Sequence, residues 1–221
     1  MSTFITFARI IKAPVDKMNI TDSKEVLAMD PKAFMQLLLA RRSTFPRQYS
    51  GERIENSVIK ELLEFAHTAP NHKKTMPWRF IVFSDQAKTK LLEFKKAFYL
   101  ANTPQDKIKQ SKVNAFEERK QQVSHIIAIS ASLDSKFALP EWEELSAVSC
   151  AAQNIYLGLA PLGLAGYWST GGIVNSEKLR HYLGLEQNER FMGFFYLGKP
   201  AVEIPKSNRE PLGDRVKWIN E

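Results

Sequence analysis

The chain has 221 residues, 44% of them hydrophobic, enough to bury one substantial core and a better fit to a single domain than to two. No run of about 18 apolar residues occurs, so the sequence offers no membrane-spanning helix. Its 31 Lys and Arg against 24 Asp and Glu give a net charge of +7, which suits phosphate-bearing ligands. The basic residues are scattered and no zinc-finger or RNP-type motif accompanies them, which argues against a nucleic-acid module. Cys150 is the only cysteine. That excludes an intrachain disulfide and a cysteine-based metal cluster, and it fits a reducing, cytoplasmic setting.

Residues 1–30 read as an N-terminal extension that need not be ordered, and residues 31–221 as one domain. Met1 to Ile20 carries Arg9, Lys12 and Lys17 against Asp16, without the apolar segment and cleavage site of a secretory signal. An organelle transit peptide, or a start at Met18 or Met29, are the alternatives. Pro31 to Ala40 predicts a helix with proline in its first turn and Asp30 as cap, delivering Arg41 and Arg42 at its end. Asn56 or Ser57 is the expected cap of a second helix, whose Val58, Ile59, Leu62, Leu63, Phe65 and Ala66 recur at helical spacing before Pro70. A polar, basic loop follows, pinned by prolines against the strand candidate Arg79 to Phe83. Ser84-Asp85 is placed to cap a helix through Lys88, Leu91 and Phe94. From 101 to 122 the pattern turns polar, as expected of a solvated helix or mobile excursion acting as a lid or insertion. Ile126 to Ser130 reads as a buried strand. Leu139-Pro140-Glu141 then starts a helix reaching about Leu162, apolar nearly all round and so placed in a core or between subunits. Leu164 to Ser169 is a strand, Ser176 to Leu183 a short helix and Phe191 to Leu197 a strand, before Pro200 and Pro205 open an extended arm.

Arg41-Arg42-Ser43 supplies two cations and a hydroxyl, which together satisfy a phosphate or a ribityl chain. The alternative is that the arginines stabilise the helix dipole. His72 is a candidate acid, metal ligand or ligand contact, but His67, His125 and His181 show no metal-ligand spacing, and no metal site is expected. Gly171-Gly172, after Trp168-Ser169-Thr170, lets backbone approach a ligand closely, or forms a plain turn beside a buried tryptophan. Lys206 and Arg209 stand before Pro211 either as a phosphate-binding pair or as an exposed charged tail. Gly163 to Gly166 is no dinucleotide fingerprint, because it precedes a strand instead of following one.

Taken in order, Arg41-Arg42-Ser43, Ala69-Pro70-Asn71-His72-Lys73 before Pro77-Trp78, Gly166 to Gly172, Phe194 to Pro200 and Lys206 to Pro211 resemble the nitroreductase family of flavin enzymes. The histidine-bearing loop resembles a branch of small nitroreductases, and the likeness spans roughly Phe34 to Trp218. It implies an α+β fold, a central and mainly antiparallel sheet flanked by helices, assembled as an intertwined homodimer with FMN at the subunit interface. It further implies NADH or NADPH as electron donor and a small-molecule acceptor such as a nitroaromatic or quinone. By the same resemblance, Arg41, Arg42, Ser43, His72, Trp168, Ser169, Thr170, Lys206 and Arg209 contact the cofactor. His72 is offered to the flavin of the partner subunit, with a secondary proton-donor role left open. The flavin carries the chemistry, so no side chain is nominated as catalytic. Two positions depart from the family pattern. Phe45 stands where a further basic residue is usual, with Arg47 as its candidate replacement, and Met76 stands where many relatives carry Gln. Trp142 and Glu143 are read as structural or interface residues. The alternative is a flavin-binding relative with another reaction, such as dehalogenation, or with no reductase turnover.

Overall fold

His125–Ser132 forms β2, an inner strand of a four-stranded antiparallel sheet in the computed structural model, which describes residues 30–204 and 209–220. The strand order is β1-β2-β4-β3, with β1 Trp78–Ser84, β3 Ala165–Ser169 and β4 Glu189–Gly198. Phe80 pairs with Ile129, Ile127 with Phe195 and Phe195 with Trp168, which sets the register across the sheet. Side chains alternate across a strand. Ile127, Ile129 and Ala131 therefore enter one core with Phe195 and Leu197, while Ile126 and Ala128 enter another with Phe194 and Tyr196. An antiparallel strand often shows one polar face, but β2 is buried from His125 to Ala131 because helices cover both of its faces.

Helices α2 (Asn56–His67) and α5 (Glu141–Leu159) cover the first face. Helices α3 (Asp85–Ala101) and α4 (Gln110–Gln122) cover the second, while α1 (Pro31–Ala40) and α6 (Glu177–Leu183) complete the set in chain order around them. Ile59, Leu62 and Ala66 of α2 meet Val148, Ala151 and Ile155 of α5 in the first core. Burying each large aliphatic side chain there contributes about 1.5–3 kcal/mol. Gly158 sets the approach of the two helices, since a Cβ at that position would lie 2.6 Å from Phe65 and 2.7 Å from Leu62.

Several expectations hold and several shift. Asp30 caps α1, accepting the Lys32 N–H at 3.0 Å. Glu55, not Asn56 or Ser57, precedes α2, because the Asn56 carboxamide is engaged elsewhere, its Oδ1 lying 3.0 Å from His125 Nε2. Helix α5 stops at Leu159 because Gly163, at φ 65°, turns the chain and Leu164 N donates back to Leu159 O. It is also less uniformly apolar than expected. Ser146, Ser149, Cys150 and Gln153 form an exposed stripe, while most of the apolar positions are buried within this chain. Among the described residues, α1 is the helix of this length or longer that buries no residue. Segment 101–122 holds the end of α3, a 3-10 turn at Gln105–Lys107 and then α4, whose Phe116 is buried and which Lys96–Glu117 and Lys120–Glu93 pairs join to α3. The expected N-terminal extension lies, apart from Asp30, outside the described residues.

Candidate active site

Strand β3 is an edge strand, paired with β4 on one side only. Its other edge is met by the segment leaving α1. Thr44 N donates to Gly166 O at 2.9 Å. Trp168 N donates to the hydroxyl of Tyr156, on α5, at 2.8 Å, and the same hydroxyl lies 3.1 Å from Ser43 Oγ. The Arg41 guanidinium sits over the Tyr156 ring, 5.4 Å from its centroid, a cation–π contact. The Tyr49 hydroxyl closes the arrangement by bonding Thr44 O at 2.8 Å and Tyr196 O at 3.2 Å. Burial is the main cause that pushes the Tyr49 phenol far above its ordinary range, so it stays a neutral donor. Two buried tyrosines therefore fix Arg41 to Thr44 along the sheet edge. Among the described residues no carboxylate comes within salt-bridge distance of Arg41 or Arg42. Two guanidinium groups next to a serine hydroxyl in the chain carry the donor chemistry that a phosphate-like anion accepts.

Further along β3, the indole of Trp168 lies over Gly193. Here β4 carries a bulge, with Ile129 opposite Gly193 and Ser130 opposite Phe191, so that Met192 is the extra residue. Gly193 adopts φ 130°, and a Cβ on it would lie 2.7 Å from Trp168 Nε1 and 2.9 Å from Ser169 O. Trp168 Nε1 is buried without a hydrogen-bond partner among the described residues. Thr170, Gly171 and Gly172 leave the strand exposed, Gly171 at φ 58°. After β4 the chain returns beside the same segment, since Ala201 N donates to Gln48 O at 2.8 Å and Ser50 N to Lys199 O at 2.9 Å. Lys206 lies outside the described residues, and Arg209 is exposed.

His72 belongs to a second cluster. Its Nδ1 lies 2.8 Å from Oε2 of Glu143, in the first turn of α5. The loop bearing it is strained, with Lys73, Lys74 and Met76 at φ 52°, 56° and 45° in the left-handed region that non-glycine residues rarely adopt. Asn71 Oδ1 holds this turn by accepting Met76 N at 3.1 Å, and Arg79 Nη1 donates to Met76 O at 2.9 Å. At about 1.5 Å per residue, the stretch of α5 from Glu143 to Tyr156 spans about 20 Å. Arg41, Ser43 and Trp168 come together within one chain, and His72 stands apart from them.

The model of the Nitroreductase family matches residues 38–199. The chain belongs to the nitroreductase family. It is 29% identical over 180 residues, 81% of this chain and 90% of the other, to the Bacillus subtilis protein named "Putative NAD(P)H nitroreductase YfhC". It is 26% identical over 208 residues, 87% of this chain and 75% of the other, to an iodotyrosine deiodinase of Hydra vulgaris. The fold matches a nitroreductase-like family protein from Bacillus cereus with a TM-score of 0.72 at 21% identity, over 85% of this chain and 96% of that one. A nitroreductase with bound FMN from Bacteroides fragilis matches with a TM-score of 0.62 at 22% identity, over 84% and 98%.

At the two positions where this nitroreductase-family chain departs from the usual pattern, the geometry is specific. Phe45 is half-exposed, and its ring leans on Tyr167 at 4.7 Å. Arg47 lies over the Phe45 ring, 5.7 Å from its centroid, and lines a cleft of roughly 480 Å³ shared with Arg119 on α4. Met76 is exposed in the strained turn. Sequence reasoning missed Tyr156 and Tyr49, and it read Glu143 as a structural or interface residue. A polar-tipped aromatic inside the apolar pattern of α5 was the available signal for Tyr156, since a buried phenol seeks a partner.

Proposed function

We propose that this protein binds FMN and passes reducing equivalents from NADH or NADPH to a small-molecule acceptor such as a nitroaromatic or a quinone. The observation that carries the reading is the anchoring of Arg41, Arg42 and Ser43 along the free edge of β3 by Tyr156 and Tyr49, with no carboxylate among the described residues to neutralise the arginines. FMN bound in the Bacteroides fragilis relative supports the same cofactor here. When bound, FMN supplies the two-electron chemistry, taking hydride from a reduced nicotinamide at N5 and releasing electrons to the acceptor.

The residues then divide the work. Arg41 and Arg42 bind phosphate through charge-assisted hydrogen bonds, Ser43 adds a neutral one, and Lys206 and Arg209 close the clamp from the C-terminal segment. Trp168, Ser169 and Thr170 would contact the cofactor, beside the exposed turn at Gly171-Gly172 that admits close approach of a ligand to backbone. No acid or nucleophile is required of the protein.

The assembly we propose is a homodimer. Helix α1 leaves Phe34 46%, Met35 53% and Leu39 44% exposed, and the C-terminal segment leaves Trp218 82% and Ile219 75% exposed. Apolar surfaces of this size call for a partner. In a pair, His72 of one copy contacts the cofactor held by the other, which accounts for its distance from Ser43 within one chain.

A fluorescence titration of FMN with the full-length chain tests the cofactor. Quenching that saturates near one FMN per chain is the expected result, and a folded protein that leaves flavin emission unchanged would overturn the reading. Bleaching of the bound flavin by NADH or NADPH without oxygen tests the donor. The likeness to the Hydra vulgaris iodotyrosine deiodinase favours a second reading, reductive dehalogenation at the same cofactor. Reoxidation of the reduced protein by iodotyrosine, and not by a nitroaromatic or quinone, would establish it in place of the first.

A further inference from the structure

We infer that Glu143 is a positioning residue for His72: by accepting from Nδ1–H it fixes the tautomer of the neutral ring and turns Nε2 toward a polar atom of the cofactor held by a second copy. This rests on the FMN reading above and goes beyond it in assigning a role to Glu143 and a tautomer to the neutral imidazole.

Three acids crowd the first turn of α5, and each has a separate partner. Glu141 Oε1 lies 3.1 Å from Arg190 Nε. Glu144 is buried and its Oε2 accepts the Asp134 N–H at 2.7 Å. Glu143 alone reaches His72, at 2.8 Å from Nδ1. The loop contributes Lys73 and Lys74 as the charged neighbours of His72 along the chain, and no acid.

An ionised carboxylate can only accept, so the proton of this bond sits on Nδ1. In the neutral imidazole the other nitrogen, Nε2, is then a bare lone pair. The neutral ring accepts from a ligand there, and a ring protonated beside the carboxylate would donate instead. The bond also ties a strained turn to a helix, because three residues in the left-handed region follow His72 within four positions. Strain of this kind persists only where surrounding contacts over-determine it. The Glu143 side chain is a quarter exposed against about half for His72, so the bond lies at the surface of this chain.

The test uses the full-length, FMN-loaded protein with His72→Ala, Glu143→Ala, Glu143→Gln and the double variant His72→Ala/Glu143→Ala. FMN affinity by fluorescence and turnover with a reduced nicotinamide and a nitroaromatic are read for each. We expect Glu143→Ala to weaken both severalfold, about as far as His72→Ala, and the double variant to be no worse than His72→Ala alone. Glu143→Gln keeps an oxygen that accepts from Nδ1–H and should restore most of the loss. Nitrogen-15 NMR of His72 should show the Nδ1–H tautomer in the wild type and in Glu143→Gln, and a mixture in Glu143→Ala. Additive losses in the double variant, an unaffected Glu143→Ala beside an impaired His72→Ala, or an Nε2–H tautomer in the wild type would each overturn the assignment. Failure of the wild type to bind FMN would sink the cofactor reading and the cofactor end of this inference with it. The NMR experiment on the cofactor-free chain still decides whether Glu143 sets the tautomer.

Discussion

The hydroxyl of Tyr156 receives the Trp168 N–H at 2.8 Å and lies 3.1 Å from Ser43 Oγ, so one side chain of α5 joins the sheet edge to the segment that carries the arginine pair. Removing that oxygen leaves a backbone donor without its partner, a loss of about 1–3 kcal/mol. Tyr156→Phe should therefore raise the FMN dissociation constant by about tenfold, the equivalent of about 1.4 kcal/mol. Fluorescence titration reads this directly. An unchanged constant would mean that Ser43 and Trp168 hold their places without Tyr156.

Arg42 and Arg47 are predicted to behave differently despite the same charge. Arg42→Ala removes a clamp member and should weaken FMN binding at least tenfold, as expected when a charge-assisted bond worth about 1.5–3 kcal/mol is lost. Arg47 is turned over Phe45 into the cleft with Arg119. Arg47→Ala should change affinity by no more than about twofold, since exposed charges contribute only about 0–1 kcal/mol. A tenfold loss at Arg47 would identify it as the substitute for the basic residue that Phe45 displaces.

Stability should fall on acidification through His125. This imidazole is buried between Ser124 Oγ and Asn56 Oδ1, and burial is the first cause holding its pKa below the ordinary 6.5. Below about pH 6.5 the unfolded chain takes up a proton that the folded chain does not, so the contribution is complete above that pH and is lost as pH falls. Urea midpoints measured from about pH 7 down to about pH 5 should decline, and His125→Gln should decline less steeply over the same range. Parallel slopes in the two proteins would remove His125 from the explanation.

Gly193→Ala should be costly for a single methyl group. The added Cβ meets Trp168 Nε1 at 2.7 Å and Ser169 O at 2.9 Å, from a backbone at φ 130° that L-residues rarely adopt. We expect a loss of about 1–3 kcal/mol in urea unfolding, the usual range for overpacking, together with an altered Trp168 emission. A neutral result would mean that the bulge at Met192 yields more readily than its register implies.

Much of the fold was legible because its signals are local. The apolar spacing of Ile59, Leu62 and Ala66, the run from Ile126 to Ser130 and the Asp30-Pro31 start each depend on neighbours within a few residues. Helix α5 was legible in extent, but its environment was not, since periodicity cannot show that α2 and the sheet already cover most of its apolar positions. The order of the motifs pointed to the site, while its connecting contacts stayed hidden. Ser43 and Tyr156 are far apart in sequence, as are His72 and Glu143, and no local pattern reports a bond across such separations. A tyrosine in an apolar helix reads as core until its hydroxyl is seen to have two partners.

Helix α1 ends in the arginine pair yet buries nothing of its own. In the proposed pair of chains, whatever covers Phe34, Met35 and Leu39 would also brace the helix that leads into Arg41 and Arg42. Mass action then makes the second subunit and the coenzyme effectors of one another: a ligand that favours the paired state draws chains together, and dilution of the chains expels the ligand. Met35→Glu should expose this by lowering coenzyme occupancy and the sedimentation coefficient in step, although Met35 touches no phosphate. Activity per molecule would then depend on how many molecules are present.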